Sequence, residues 1–388
     1  MCSAAQTINL LFNIKYGLGT IYILRALIDP IRLHTSTLFI SRKAFLFMLK
    51  MISSLLYCLT FAWVFSGVHI SLAQENIETN AIKGFDETLN SYRYPFSVDT
   101  YHFSSQGESL KMAYMHLAPK KPDLPSILLL HGKNFNGAYW EETAIMLNEM
   151  GYGVVIPDQI GFGKSSKPIE YQYSFEALAR NTRGLLDYLQ VDQVHVIGHS
   201  MGGMLASRFA LLYPKTTEKV TLVNPLGLEN YLRYVQYKDI DFFYRNELQL
   251  TPERIRNYQK TYYYDGAWSD RYESLAAPLI GWVNGPDWDK LAMISARVYD
   301  MIFTGPVVEE FKYFQMPANL IIGTRDRTGP GRNWKRVGSD YELGRYDRLG
   351  AEVQRNSPNV NVIELGDYGH APQIENFEVF KEALQSIL

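Results

Sequence analysis

This chain of 388 residues contains few cysteines, and its net charge is close to zero. The only two cysteines are Cys2 and Cys58, so the sequence after residue 58 supplies no disulfide, no thiol nucleophile and no thiolate metal ligand. The formal net charge of −2 gives no reason to expect nucleic acid or an anionic membrane surface as the main partner. Hydrophobic residues make up 47% of the chain, which is the balance of a packed globular protein.

The first 73 residues have the composition of a targeting segment. A basic pair at 42–43 precedes an apolar stretch that continues to about Val68, and Ser71-Leu72-Ala73 follows it. A basic region, an apolar region and small residues at a cleavage position are, in that order, typical of a signal peptide. The alternative is an uncleaved membrane anchor, because the apolar stretch approaches the length that spans a bilayer. We predict that residues 1–73 are an N-terminal extension with a signal peptide or anchor. The protein would then be exported (periplasmic or secreted) or held at a membrane by this segment.

Residues 74–94 are polar and mixed, which predicts a linker. Over residues 95–388, short apolar runs alternate with amphipathic stretches of helical length. Such runs are typical of strands buried on both faces of a parallel sheet, and two alternating segments ahead of them predict an antiparallel hairpin. The pattern therefore predicts an α/β fold with a mostly parallel, doubly wound sheet. The hairpin is expected at 97–103 and 110–117, the later strands at 127–130, 153–156, 194–197, 220–223, 320–322 and 360–363, and the helices at 138–149, 174–190, 201–213, 344–356 and 376–387.

The alternation stops between about residues 228 and 311. This stretch lacks strand-like runs and carries aromatic clusters such as Tyr262-Tyr263-Tyr264. We predict a second, largely helical unit that packs over the sheet as a cap. For any single aromatic residue, packing inside the cap is the expected role.

The pentapeptide Gly198-His199-Ser200-Met201-Gly202 stands between a predicted strand and a predicted helix. In that context the G-x-S-x-G pattern is specific for a nucleophilic serine. The serine occupies a strained tight turn, and small neighbours avoid a clash between strand and helix. The adjacent helix N-terminus favours developing negative charge. We therefore predict that Ser200 is a nucleophile; the alternative is a buried structural serine in a glycine-rich turn.

A serine hydroxyl needs a base that removes its proton. His370 follows the last predicted strand and so belongs to a loop at the carboxyl end of the sheet, beside Ser200. The acid that orients the base should follow the penultimate strand, where Asp326 is the first carboxylate. Its predicted role is to hold the imidazole tautomer and to stabilise the imidazolium. Because Arg325 and Arg327 flank this aspartate, a simple ion pair is the alternative.

An oxyanion formed during acyl transfer needs two fixed donors, and this electrostatic contribution is usually the largest. One candidate is the backbone N–H of Met201, the residue after the nucleophile. The other is the N–H of Lys133, which follows His131-Gly132 in the loop after the run at 127–130. His131 itself is expected to brace this loop through backbone hydrogen bonds.

No cofactor and no metal are expected. The loop at 158–165 contains a G-x-G, but no lysine and hydroxyl residue follow it at Walker spacing. No cluster of histidine, aspartate and glutamate has the spacing of metal ligands. The loop is better explained as a turn-rich connection near the mouth of the active site.

Over about residues 95–388 the chain resembles the α/β-hydrolase superfamily. The matching features are His131-Gly132, the loop at 158–165, the pentapeptide at 198–202, Asp326 and Gly369-His370. Their order of serine, acid and histidine is the order found in that superfamily. The resemblance extends to the lidded branch that includes C–C bond hydrolases, haloalkane dehalogenases, epoxide hydrolases and non-metal haloperoxidases.

Within that branch the insertion at 228–311 would be the cap over the nucleophile. Dehalogenases and epoxide hydrolases carry an aspartate where this chain has Ser200, so the resemblance implies acyl transfer to water. The loop at 131–135, which would carry one oxyanion donor, departs from the glycine-rich form of C–C hydrolases. C–C bond hydrolysis is therefore a less favoured candidate activity.

The implied function is that of a serine hydrolase for a carboxylic ester or a related acyl bond (lactone, thioester, amide or activated C–C) of a small molecule. The cap aromatics hint at an apolar or aromatic acyl group. The alternatives are a small-molecule-binding protein on the same scaffold with little or no turnover, and an acyltransferase or perhydrolase with the same triad. No nucleic-acid partner is expected, and a membrane is contacted only through residues 1–73 if they are retained.

Overall fold

The computed structural model of the protein describes residues 82–121 and 123–388. The predicted signal peptide or anchor at 1–73, and the linker residues before 82, lie outside the described residues. Within the described part of the chain, no helix is both long enough and apolar enough to cross a membrane.

Eight strands form one sheet at the centre of the fold. They are β1 Val98–Ser105, β2 Glu108–Leu117, β3 Ser126–Leu130, β4 Val154–Pro157, β5 Val194–His199, β6 Thr217–Val223, β7 Ala318–Gly323 and β8 Val360–Leu365. Their order across the sheet is β1-β2-β4-β3-β5-β6-β7-β8. β1 and β2 pair antiparallel, as do β2 and β4, and the remaining neighbours are parallel. The predicted hairpin and mostly parallel sheet are therefore confirmed.

Side chains of the central strands alternate between two apolar cores, one on each face of the sheet. In β3, Leu128 and Leu130 belong to one buried cluster, whereas Ile127 and Leu129 belong to the other. The reason is that successive residues of a strand point to opposite faces. Burial on both faces is why these strands appear in the sequence as continuous apolar runs.

Helices cover both faces and build the cap. They are α1 Glu141–Met150, α2 Phe175–Tyr188, α3 Met201–Leu212, α4 Ile240–Glu247, α5 Pro252–Tyr262, α6 Asp270–Val283, α7 Trp288–Thr304, α8 Tyr346–Asn356, α9 Pro372–Glu375 and α10 Phe377–Gln385. Helices α4 to α7 lie between β6 and β7, inside the insertion predicted at 228–311. Three of these cap helices begin after Asp239, Thr251 and Ser269, whose side chains accept a hydrogen bond from the first turn.

The described end of the predicted linker, residues 82–94, packs against the cap. The Phe85 N–H donates to the carbonyl oxygen of Gly281 at 2.8 Å, and Trp282 Nε1 donates to the carbonyl oxygen of Asp86 at 3.1 Å. Leu89 is fully buried. The polar composition of this segment hid two buried side chains that anchor it, Leu89 and Tyr94.

Candidate active site

Ser200 occupies the turn between β5 and α3. Its backbone has φ 58° and ψ −122°, a positive-φ conformation that residues with a side chain rarely adopt. The turn is held by main-chain hydrogen bonds, because the Ser200 N–H donates to Val223 O and Ser200 O accepts from the Leu226 N–H, both at 3.1 Å. The surrounding structure thus maintains a strained conformation at the carboxyl end of the sheet.

Two glycines make room for this turn. A Cβ atom at Gly198 would lie 2.1 Å from the carbonyl oxygen of Gly202, and a Cβ atom at Gly202 would lie 2.2 Å from the carbonyl oxygen of Leu130. Both distances are far inside van der Waals contact. The strand and the helix can approach this closely only with glycine at both positions, which confirms the steric role predicted for them.

The three side chains predicted as a triad meet at one point. Ser200 Oγ lies 2.9 Å from His370 Nε2, and His370 Nδ1 lies 2.7 Å from Asp326 Oδ2. Since a carboxylate only accepts, Nδ1 carries the imidazole proton and Nε2 accepts from the Ser200 hydroxyl. Ser200 is 4% exposed, and His370 and Asp326 are fully buried. This arrangement allows proton transfer from the serine to the imidazole, out of contact with bulk water.

Asp326 is oriented by groups other than its arginine neighbours. Its Oδ1 accepts from the Thr328 N–H at 2.7 Å, and its Oδ2 accepts from Asn224 Nδ2 at 3.0 Å. Arg325 pairs with Glu375, and Arg327 lies 3.5 Å from Asp347. The carboxylate of Asp326 therefore faces the imidazole, and the structure does not support the alternative of a simple arginine ion pair.

The two candidate oxyanion donors flank Ser200. Met201 is the first residue of α3, so its backbone N–H has no acceptor within the helix. The loop that carries Lys133 passes close to Ser200, since a Cβ atom at Gly132 would lie 3.1 Å from Ser200 Cβ. His131 braces this loop as predicted, because Nδ1 lies 2.9 Å from Gly132 O and Nε2 accepts from the Gln159 N–H at 3.0 Å.

The Lys133 side chain leaves this loop and enters the cap. Its ammonium donates to Ser295 Oγ at 2.6 Å, lies 3.6 Å from Glu247 Oε1 and sits 3.9 Å from the centre of the Tyr299 ring. Burial lowers the pKa of Lys133, and the nearby Glu247 carboxylate opposes that shift. The side chain of this residue thus ties the loop to α4 and α7.

Tyr263 covers the triad from the cap side. Its ring centre lies 4.4 Å from that of His370, and its hydroxyl accepts from Asn134 Nδ2 at 3.0 Å. A Cβ atom at Gly369 would lie only 2.0 Å from the carbonyl oxygen of Tyr263. The cap backbone therefore touches the loop that carries His370.

A cavity of about 260 Å³ lies in the cap beside the loop after β7. Tyr258, Tyr299 and Trp334 are among its lining residues. The Tyr258 ring packs edge-on against Tyr263 at 5.6 Å, so Tyr263 contacts both a wall residue of this cavity and His370. The cavity approaches the size of a small-ligand pocket, and its aromatic walls suit an apolar group.

Sequence reasoning missed Asn224 and Tyr263, which hold or cover the triad. Asn224 follows β6, and its Oδ1 also accepts from the Gly323 N–H at 2.8 Å. The position of Asn224, a polar residue at the carboxyl end of a buried strand, was the sequence feature that could have indicated its role. Tyr263 lies in the cap, where no periodic pattern showed which aromatic side chain points toward the sheet. In the described part of the chain no group of histidine, cysteine, aspartate and glutamate side chains is arranged to hold a metal ion.

The sequence profile of the family described as the alpha/beta hydrolase fold matches residues 125–377. The structure is also similar to that of a probable hydrolytic enzyme from Pseudomonas aeruginosa PAO1. The two chains are 44% identical with a TM-score of 0.77, and the match covers 79% of this chain and 99% of that one.

Two matches to curated proteins cover shorter segments. An uncharacterised protein of Mycobacterium bovis is 34% identical over 121 residues, which is 31% of this chain and 33% of that protein. A 2-hydroxy-6-oxo-6-phenylhexa-2,4-dienoate hydrolase of Burkholderia cepacia is 36% identical over 106 residues, 26% of this chain and 37% of that enzyme. The chain thus spans about a third of the length of these curated relatives.

Proposed function

Because the chain belongs to the α/β-hydrolase family, we propose that it is a serine hydrolase of small molecules that cleaves a carboxylic ester or a related acyl bond. Ser200 is the nucleophile, His370 the general base and Asp326 the orienting acid. The proposal is carried by their geometry, with 2.9 Å from Ser200 Oγ to His370 Nε2 and 2.7 Å from His370 Nδ1 to Asp326 Oδ2. A nucleophile, a base and an orienting group in hydrogen-bond reach are what nucleophilic acyl transfer needs.

In the first step, Ser200 Oγ attacks the carbonyl carbon of the substrate while His370 Nε2 takes the hydroxyl proton. The imidazolium that forms is stabilised by Asp326. When the tetrahedral intermediate collapses, the leaving group takes the proton from His370 and an acyl-enzyme remains. In the second step His370 deprotonates a water molecule, which attacks the acyl group. When this second tetrahedral intermediate collapses, His370 returns the proton to Ser200 Oγ and the acid is released.

The negative charge of each tetrahedral intermediate is bound by the backbone N–H groups of Met201 and Lys133. Met201 adds the electrostatic contribution of the α3 N-terminus. Donors that are already in place when charge develops need no reorganisation during the reaction, and one such donor is worth about 10²- to 10³-fold in rate.

The proposed substrate carries an apolar or aromatic acyl group. The cap cavity beside Tyr258 and Tyr299 supports this preference, because six of the fourteen residues that line it are aromatic. Since Ser200 is 4% exposed, the substrate reaches it when the cap residues around Tyr263 move. The similarity to the Burkholderia dienoate hydrolase keeps an activated C–C bond among the candidate bonds.

We also propose, from the sequence of residues 1–73, that the protein is exported or anchored at a membrane. Sequencing the N-terminus of the protein isolated from its own host tests this. A start near residue 74 supports cleavage, and an intact chain in the membrane fraction supports an anchor. An intact chain that starts near Met1 and stays out of the membrane fraction contradicts the proposal.

Turnover of p-nitrophenyl esters by the full chain tests the function. We expect Ser200→Ala to abolish turnover, with the thermal unfolding transition retained. The matched control is Ser207→Ala, because Ser207 is a buried serine of α3, the helix that follows Ser200, and its hydroxyl donates to Gly203 O. Aromatic and medium-length aliphatic acyl groups should be cleaved faster than acetyl. Substantial turnover by Ser200→Ala would mean that another group is the nucleophile.

A further inference from the structure

Beside the nucleophile, two buried side chains connect the oxyanion loop at 131–135 with the His370 loop. The Gly132 N–H donates to Tyr139 Oη at 3.2 Å. Tyr139 Oη lies 3.0 Å from His199 Nδ1, and His199 Nε2 lies 2.8 Å from the carbonyl oxygen of His370. Gly132 immediately precedes the proposed oxyanion donor, and His370 is the proposed base. Both ends of this hydrogen-bond chain thus lie in the catalytic machinery.

Chemistry fixes the direction of every bond in the chain. A carbonyl oxygen only accepts, so the proton of His199 must be on Nε2. In the neutral imidazole Nδ1 then accepts, and the Tyr139 hydroxyl donates to it. A lone pair of the Tyr139 oxygen remains to accept from the Gly132 N–H. One arrangement of protons therefore satisfies all three bonds.

The surroundings of His199 keep it in this neutral form. The side chain is fully buried and is enclosed by the rings of Phe135, Tyr139 and Trp140, with centroid distances of 6.0, 5.7 and 6.4 Å. Burial lowers the pKa of His199 well below its ordinary value, and the neighbouring His370 lowers it further.

We propose that His199, through Tyr139, is a positioning residue that fixes the oxyanion loop relative to the general base. The inference rests on the proposed function, because it assigns a role within that reaction. Ser200 is held separately by its own main-chain bonds to Val223 and Leu226. Breaking the chain therefore leaves the nucleophile in place and lets its two partners shift. Such a shift weakens binding of the transition state more than binding of the substrate.

Two full-chain variants test the role. Tyr139→Phe removes one oxygen and keeps the ring, and His199→Leu removes both imidazole bonds. We expect kcat for a p-nitrophenyl ester to fall by about 10- to 100-fold in each, because misplacement by about 1 Å has costs of this size. KM should change by less than about threefold, since ground-state contacts are retained. The double variant should be no slower than His199→Leu alone, because both substitutions break the same chain.

A conservative variant and a control separate positioning from general loss of packing. His199→Gln places an amide donor near His370 O, so we expect it to recover part of the lost kcat. Trp140→Phe changes the same aromatic cage without touching the chain of bonds. It should leave kcat within about twofold even if the melting temperature falls. Unchanged kcat in Tyr139→Phe, or losses that add in the double variant, would overturn the proposal.

A readout that needs no turnover distinguishes this proposal from the proposed function. The ring nitrogen chemical shifts of His199 in the full chain, assigned by their loss in His199→Leu, report its tautomer. We expect a neutral imidazole with the proton on Nε2, and a change at Nδ1 in Tyr139→Phe. A proton on Nδ1 in the wild type refutes the hydrogen-bond chain whatever the activity. The expected tautomer in a wild type that cleaves no ester would instead refute the proposed function.

Discussion

The carboxyl end of the sheet and the cap above it hold their side chains in different ways. At the sheet, main-chain groups set the positions of the proposed catalytic atoms, as when Asp326 accepts from the Thr328 N–H. In the cap, aromatic stacking and charged pairs dominate, as between Tyr264 and Tyr272, whose rings stack at 3.7 Å. Main-chain hydrogen bonds fix atoms within tenths of an ångström, whereas apolar packing tolerates exchange of similar shapes. Substitutions at the carboxyl end of the sheet should therefore lower kcat. Substitutions in the cap should change the free energy of unfolding and the access of substrate to Ser200.

The largest effect is expected from Asp326→Asn. The amide keeps the shape of the side chain but favours the wrong imidazole tautomer, so kcat should fall by about 10⁴-fold, the loss seen when such an orienting acid is replaced. Steady-state ester kinetics measure it. Asp367→Asn is the matched control, because Asp367 is an exposed carboxylate three residues before His370. If Asp326→Asn is nearly as fast as the wild type and Asp367→Asn is slow, the acid has been misassigned.

Lys133→Met tests both regions with one substitution, because the backbone of Lys133 lies in the loop at the sheet and its side chain contacts the cap. Its backbone donor survives, so kcat should stay within about tenfold of the wild type. The loss of its ammonium leaves Glu247 buried without its cation, which should lower the free energy of unfolding by about 3 kcal/mol. Urea unfolding measures this.

Arg256→Met is the control for the Lys133 substitution. Its pair with Glu273 is partly exposed, so its loss should cost no more than about 1 kcal/mol. A stability loss for Lys133→Met as small as that of Arg256→Met would contradict the difference between a buried and an exposed pair.

Between about pH 7 and pH 5, acid should destabilise the fold through a buried histidine of the sheet, because residues 228–311 of the cap contain no histidine. Burial lowers the pKa of His195 in β5 from 6.5 to about 3. Between these values the unfolded chain binds the additional proton, so stability falls as the pH falls below 6.5. His195→Gln should remove about 2 kcal/mol of the loss measured by urea unfolding between about pH 7 and pH 5. An unchanged pH dependence in the variant would show that His195 is already protonated in the fold.

The smallest effect concerns Tyr263, where the cap touches the triad. Tyr263→Ala uncovers His370, and we expect kcat/KM to fall by about tenfold, the worth of one buried aromatic contact. Tyr263→Phe keeps the ring over the imidazole and loses only the bond from Asn134, so its loss should stay below about fivefold. Equal losses in the two variants would mean that the hydroxyl, and not the ring, matters at this contact.

The difference between the regions also explains what the sequence could predict. Ser200 and Asp326 follow the buried strands β5 and β7, and His370 follows the partly exposed edge strand β8. Because parallel strands bring their carboxyl ends together, their meeting was foreseeable from spacing. The hydrogen bonds of Asn224 and His199 were not foreseeable, because a hydrogen bond between residues far apart in sequence produces no periodic pattern in that sequence. In the cap the pattern predicted helices, but aromatic residues lie on several of their faces. Which ring covers His370 therefore depends on packing alone.

The most direct test of the central claim is covalent labelling of the full chain by a fluorophosphonate, read by mass spectrometry. The reagent reacts with a serine that a neighbouring base activates. We expect one adduct, on Ser200, and none in Ser200→Ala. A folded wild type that stays unlabelled, or an adduct on any other residue, would contradict the assignment of Ser200, His370 and Asp326 as the catalytic groups.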